Sequence, residues 1–93
     1  MKRGALFVNT ARGGLMDESA LVDALERGHL GGAALDVYQQ EPKVDARLIG
    51  RSDVVLLPHI GSATRETRLQ MARLACEEIR RVLSGEPPVN RVI

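Results

Sequence analysis

Aromatic residues are nearly missing from this sequence: Phe7 and Tyr38 stand alone, and there is no tryptophan. A surface that stacks single-stranded bases needs several rings, so that class of function is excluded. Cysteine is reduced to Cys76, which rules out an internal disulfide and a cysteine-rich metal site. A reducing, cytoplasmic setting is the simplest expectation. Charge of one sign is also lacking. The formal net charge is +1, too small to draw the chain to nucleic acid or to an anionic membrane. No apolar run approaches the length of a membrane helix, and no long apolar stretch follows Met1. Internal repeats and low-complexity tracts are absent.

What remains is the composition of an ordinary folded domain: 93 residues, 44% hydrophobic and 27% charged, with a mean hydropathy of −0.10. That length suits one small domain or part of a larger one, with a thin stability margin.

Three short apolar runs punctuate the chain. Ala5 to Val8, Gly31 to Val37 and Val54 to Leu57 read as buried strands. Between the first two, Asp17 caps a helix whose first turn carries Glu18, whose apolar face is Leu21, Val22 and Leu25, and which stops at Gly28. Between the second and third lie a polar loop, Gln39 to Val44, and one helical turn at Ala46 to Ile49. A long helix then opens at Thr64 or Ser62 and runs to about Leu83, with Ala72, Ala75, Cys76, Ile79, Val82 and Leu83 as its apolar stripe. Cys76 is assigned to the core. Arg73, Glu77 and Arg81 fall on its wet side, and Gly85-Glu86-Pro87-Pro88 ends it before the tail from Val89 to Ile93. Continuous apolar strands alternating with helices predict an α/β fold: a parallel sheet covered on both faces.

In such sheets ligands gather beyond the carboxyl ends of the strands. The first strand end delivers Arg12, the second Asp36 and Glu41, the third His59. A guanidinium presents a fixed fork of donors that matches a substrate carboxylate. Histidine is suited to exchanging a proton near neutral pH, and a neighbouring carboxylate holds one ring nitrogen and favours the protonated ring. Together they describe a proton-transfer site for an anionic substrate.

Three stretches carry a resemblance. Asn9-Thr10-Ala11-Arg12-Gly13-Gly14, followed by Asp17-Glu18 and Ala20-Leu21, resembles the arginine motif of the D-isomer-specific 2-hydroxyacid dehydrogenases. Gly32-Ala33-Ala34-Leu35-Asp36-Val37-Tyr38, ending in Glu41-Pro42, is similar to that family's next signature, and Pro58-His59-Ile60-Gly61-Ser62-Ala63-Thr64 to its histidine motif. Pro87-Pro88-Val89-Asn90 looks like the family's usual end. The wording of the histidine motif and of Arg65-Glu66-Thr67-Arg68 leans toward the glyoxylate and hydroxypyruvate reductase branch. The fold so implied is a partial Rossmann-like parallel sheet of about three strands with flanking helices. The implied cofactor is NAD or NADP, the implied partner a small 2-oxo or 2-hydroxy acid, and the implied parent a homodimer. By the same resemblance Arg12 binds the substrate, His59 is the acid/base and Glu41 orients it. Asp36 accepts from the nicotinamide carboxamide, and Thr10, Arg12, His59 and Gly61 line the nicotinamide end of the cofactor.

Taken singly, each residue has a plainer reading. Arg12 fits a surface arginine, His59 a hydrogen-bonded structural residue, Asp36 a turn cap and Glu41 a solvated loop charge. Three motifs in order and at compatible spacing favour the joint reading. One part of a dinucleotide site is lacking: no Gly-x-Gly-x-x-Gly turn occurs in the chain. The expectation is therefore that residues 1–93 are the C-terminal portion of a dinucleotide-binding domain, without the phosphate-binding loop or the substrate domain. The first strand is then an open edge. The alternative is a non-catalytic remnant, or an α/β interaction module that needs a partner chain.

Overall fold

A computed structural model describes residues 1–92; Ile93, the end of the tail, lies outside the described residues. The chain divides into two compact units, Met1–Gly61 and a second that begins at Ser62.

The first unit holds β1 (Leu6–Asn9), α1 (Glu18–Glu26), β2 (Gly32–Leu35) and β3 (Val54–Leu56), with short 3-10 turns at Gly13–Leu15 and Ala46–Leu48. The strands form one parallel sheet in the order β1-β2-β3, with Phe7 opposite Ala33 and Ala34 opposite Val55. Each predicted strand is present: β1 keeps the length of its apolar run but lies one residue further on, and β2 and β3 are shorter than theirs. The residues just beyond are still tied to the ladder: Asp36 N–H donates to Asn9 O at 3.0 Å and Leu57 N–H to Leu35 O at 2.8 Å.

α1 forms where its caps and its stripe predict. Asp17 Oδ1 accepts from Ala20 N–H at 3.0 Å, and the chain turns out of the helix at Gly28, whose φ of 62° suits a residue without a β-carbon. Leu21, Val22 and Leu25 are buried against Leu30, Ala33, Leu35, Tyr38 and Leu48. This is the core of the unit.

The expected cover on both faces of the sheet is not what this unit has. Phe7, Ala33, Leu35, Val54 and Leu56 face the core, but Leu6, Val8 and Val55 on the other face are 72%, 66% and 57% exposed. Connections of one hand that add strands in one direction fall on one side of a sheet. Both the α1 crossover and the Asp36–Asp53 segment, through Leu48, pack on that side.

The second unit is α2 (Arg65–Leu83) and a tail. Thr64 Oγ1 caps it by accepting from Thr67 N–H at 3.2 Å. Gly85, with φ 78°, ends it, and the N–H groups of Val89 and Asn90 donate to Glu78. The assignment of Cys76 to a core is corrected: Cys76 is exposed and no residue of α2 is buried. One helix and a tail cannot enclose an apolar stripe. Among the described residues no helix is long and apolar enough to cross a membrane, and no group of three or more His, Cys, Asp or Glu is placed to hold a metal ion.

Candidate active site

Parallel strands in one order put all three carboxyl ends on one edge of the first unit, and the site is built there.

The loop after β1 is shaped by Asn9. Its buried side chain donates from Nδ2 to Arg12 O at 3.0 Å and accepts from Ala11 N–H at 3.1 Å, folding Thr10–Arg12 into a tight turn. Arg12 is exposed, and its guanidinium donates to Ala11 O at 2.6 Å. Thr10 is exposed beside it. Gly13 is buried, and a β-carbon there would overlap the Tyr38 carbonyl. Only glycine lets the arginine turn rest on the loop that follows β2.

That loop carries Glu41. The pair Gln40 and Lys43 closes its tip, around a cis peptide between Glu41 and Pro42. Tyr38 fastens its start. The phenol is buried and donates to Leu57 O at 2.7 Å, and burial pushes its pKa above the ordinary value. Tyr38 N–H in turn donates to Glu41 Oε1 at 3.0 Å.

The other oxygen of Glu41 meets His59: Oε2 lies 2.7 Å from Nδ1. The hydrogen bond from His59, then that from Tyr38 N–H, hold Glu41 below the ordinary carboxylate range, and the charges of His59 and Arg12 add to this. A carboxylate only accepts, so Nδ1 carries the proton of this bond and the second nitrogen, Nε2, is left to act. Both side chains are partly open, at 45% for His59 and 36% for Glu41. A cleft of about 310 Å³ opens beside them, walled by Tyr38, Val44, Leu56 and Pro58.

His59 is held in a left-handed backbone conformation, φ 55°. Asp36 secures it. This carboxylate is 2% exposed and accepts from Ile60 N–H at 2.8 Å and Gly61 N–H at 2.7 Å. The two oxygens of Asp36 thus grip the residues directly after His59.

Of the six residues singled out from the sequence, the structure pairs His59 with Glu41 and Asp36 with Gly61. Arg12 acts on Glu41 through its charge, and Thr10 stands on the same edge. Two residues that shape this edge were not singled out. Asn9 had a legible signal, an Asn at a strand end before a turn. Glu18 has the sequence signal of a charge in the first turn of a helix, and nothing in that signal shows that it is buried and accepts from Gln39 N–H and Asp45 N–H.

This edge can be compared with known proteins. A family model described as "D-isomer specific 2-hydroxyacid dehydrogenase, NAD binding domain" matches residues 1–61. The chain belongs to this family. Glyoxylate/hydroxypyruvate reductase B of Enterobacter sp. (strain 638) is 48% identical to it over 93 residues, which is 99% of this chain and 29% of that protein. D-3-phosphoglycerate dehydrogenase of Bacillus subtilis (strain 168) is 43% identical over 98% of this chain and 17% of its own length. Among solved structures, the NADPH-dependent glyoxylate/hydroxypyruvate reductase of Sinorhizobium meliloti, in complex with NADP and malonate, aligns with a TM-score of 0.94 at 36% identity. That alignment covers 98% of this chain and 28% of the reductase. The chain therefore spans under a third of the length of these relatives. The α/β, Rossmann-like class expected from the sequence is the class of these neighbours.

Proposed function

We propose that these 93 residues are the C-terminal portion of the dinucleotide-binding domain of an NAD(P)-dependent dehydrogenase. The parent interconverts a small 2-oxo acid, of the glyoxylate or hydroxypyruvate type, and a D-2-hydroxy acid. The observation that carries this reading is the 2.7 Å contact between His59 Nδ1 and Glu41 Oε2, on the same strand edge as Arg12. The names of the two reductases above support the substrate class.

The donors and acceptors on this edge fit the nicotinamide end of a dinucleotide: a hydroxyl at Thr10 and backbone at Arg12, His59 and Gly61, with the carboxylate of Asp36 fixing that backbone through the Ile60 and Gly61 amides. The Gly-x-Gly-x-x-Gly turn that holds a pyrophosphate is not in this chain. When bound, the nicotinamide supplies or accepts hydride. The chain's own residues do the rest. Arg12 anchors the substrate carboxylate through its fork of donors. His59, with Nδ1 held by Glu41, gives a proton from Nε2 to the substrate's carbonyl oxygen and takes it back in the reverse direction. Glu41 keeps the ring in that tautomer and orientation. A homodimeric parent and a cytoplasmic setting belong to the same reading, supported by the family and by the single cysteine.

The test is oxidation of NADH and NADPH with glyoxylate and with hydroxypyruvate, by the 93-residue chain and by the same chain joined to its genomic upstream sequence. Turnover in the joined form alone supports the proposal. A folded joined form without turnover overturns it in favour of a non-catalytic α/β module.

A further inference from the structure

Glu18 is a carboxylate at the first position of α1 and only 7% exposed, yet among the described residues no ion pair involves it. A carboxylate removed from water is strongly disfavoured without hydrogen-bond partners, so its partners explain its presence. They are two backbone amides of one loop: Gln39 N–H at 3.0 Å from Oε2 and Asp45 N–H at 3.2 Å from Oε1. These amides bracket Glu41. The bridge between Gln40 and Lys43, where Lys43 N–H donates to Gln40 O at 2.8 Å, closes the tip between them.

The peptide joining Tyr38 to Gln39 is gripped from two sides. Its N–H points to Glu18, and its carbonyl rests on Gly13, where no β-carbon fits. The neighbouring N–H, of Tyr38, donates to Glu41, whose other oxygen takes His59 Nδ1. The two peptides meet at the Tyr38 α-carbon, which places the grip of Glu18 one residue from the amide that holds Glu41.

We infer that Glu18 is a positioning residue for the Glu41–His59 pair, acting through the loop backbone rather than through any contact with substrate. Its importance for catalysis rests on the acid/base reading of His59 given above. The charged groups that face Glu41 are His59, after β3, and Arg12, after β1. Neither touches Glu18 in a hydrogen bond, so Glu18 reaches Glu41 by geometry.

The test uses the 93-residue chain and needs no turnover. Glu18→Gln keeps the size of the side chain but turns one acceptor oxygen into a donor. The amide of Gln39 or Asp45 is expected to exchange with solvent roughly tenfold faster, the loss of one net hydrogen bond. The Tyr38 amide follows, and the Glu41 carboxyl, read by carbon NMR, titrates higher, nearer the ordinary carboxylate range. Faster exchange at Gln39 and Asp45 with Tyr38 and Glu41 unmoved makes Glu18 merely structural and overturns the inference. If Glu18→Gln does not fold, exchange in the unsubstituted chain decides. Tyr38, Gln39 and Asp45 amides opening with one common free energy support it. Tyr38 staying protected while the other two open overturns it. Failure of the catalytic reading shows up separately, as unchanged turnover of the joined form on removal of the His59 ring.

Discussion

His59 is a residue under constraint. A side-chain-bearing residue at φ 55° costs on the order of 1–3 kcal/mol, and the two amides that follow it are fastened to the buried carboxylate of Asp36. The strain is held where the ring must keep one direction. His59→Ala in the joined form is expected to lower turnover by up to about ten-thousandfold, with cofactor binding little changed; stopped turnover assays beside a fluorescence titration of NADPH check both. Glu41 makes the pH dependence of stability partly predictable. Its folded pKa lies below the ordinary value of 4.5, so its stabilisation is present above that value and is lost as pH falls through the folded one. Glu41→Gln has no such proton to bind. Its thermal midpoint is therefore expected to fall less than that of the unsubstituted chain as pH is lowered below 4.5. Parallel curves for the two proteins would remove the pair from the folded state.

At the scale of elements, the caps and apolar stripes do what their chemistry dictates. Asp17 and Thr64 each supply an oxygen to an amide three residues on, which is why both helices begin where the sequence places them. The loops are less self-sufficient. The turn after β1 and the loop after β2 share a surface at Gly13, so neither has its shape alone. Gly13→Ala places a methyl group on the Tyr38 carbonyl and forces the two apart. Overpacking of this kind costs about 1–3 kcal/mol. The expected outcome is a lower urea midpoint together with faster exchange of the Gln39 amide. A change confined to the midpoint would mean that the strain is absorbed on the Arg12 side.

Over the whole molecule, the two units differ in how they bury apolar surface. The first has a core around Val22, Leu25, Leu35 and Leu48, while one face of its sheet leaves Leu6, Val8 and Val55 exposed. The second buries no residue of its helix; Leu69, Met71, Leu74 and Ile79 are 50% exposed or more. Exposed apolar faces of this kind bind hydrophobic dyes. The 93-residue chain is expected to enhance the fluorescence of anilinonaphthalene sulfonate, and the double substitution Leu6→Lys and Val8→Lys to lower that signal without changing far-ultraviolet circular dichroism. An unaltered signal would place the dye elsewhere than on the sheet.

The sequence by itself determined the element types, their order and the three motifs, because strand runs, helix stripes, caps and glycine stops are local and each is written within a few residues. It also carried Arg12, Asp36, Glu41 and His59, since strand ends in a parallel sheet open on one edge. Only the tertiary structure decided that Glu41 Oε2 meets His59 Nδ1, that Asp36 spends its oxygens on Ile60 and Gly61, and that Glu18 grips the loop around Glu41. It also decided that Cys76 is exposed and that one sheet face is bare. These facts join residues 18 to 27 positions apart, or depend on what covers a surface. Periodicity names the face a residue shares with its neighbours along the chain, but the partner across from that face is chosen only when the chain closes on itself.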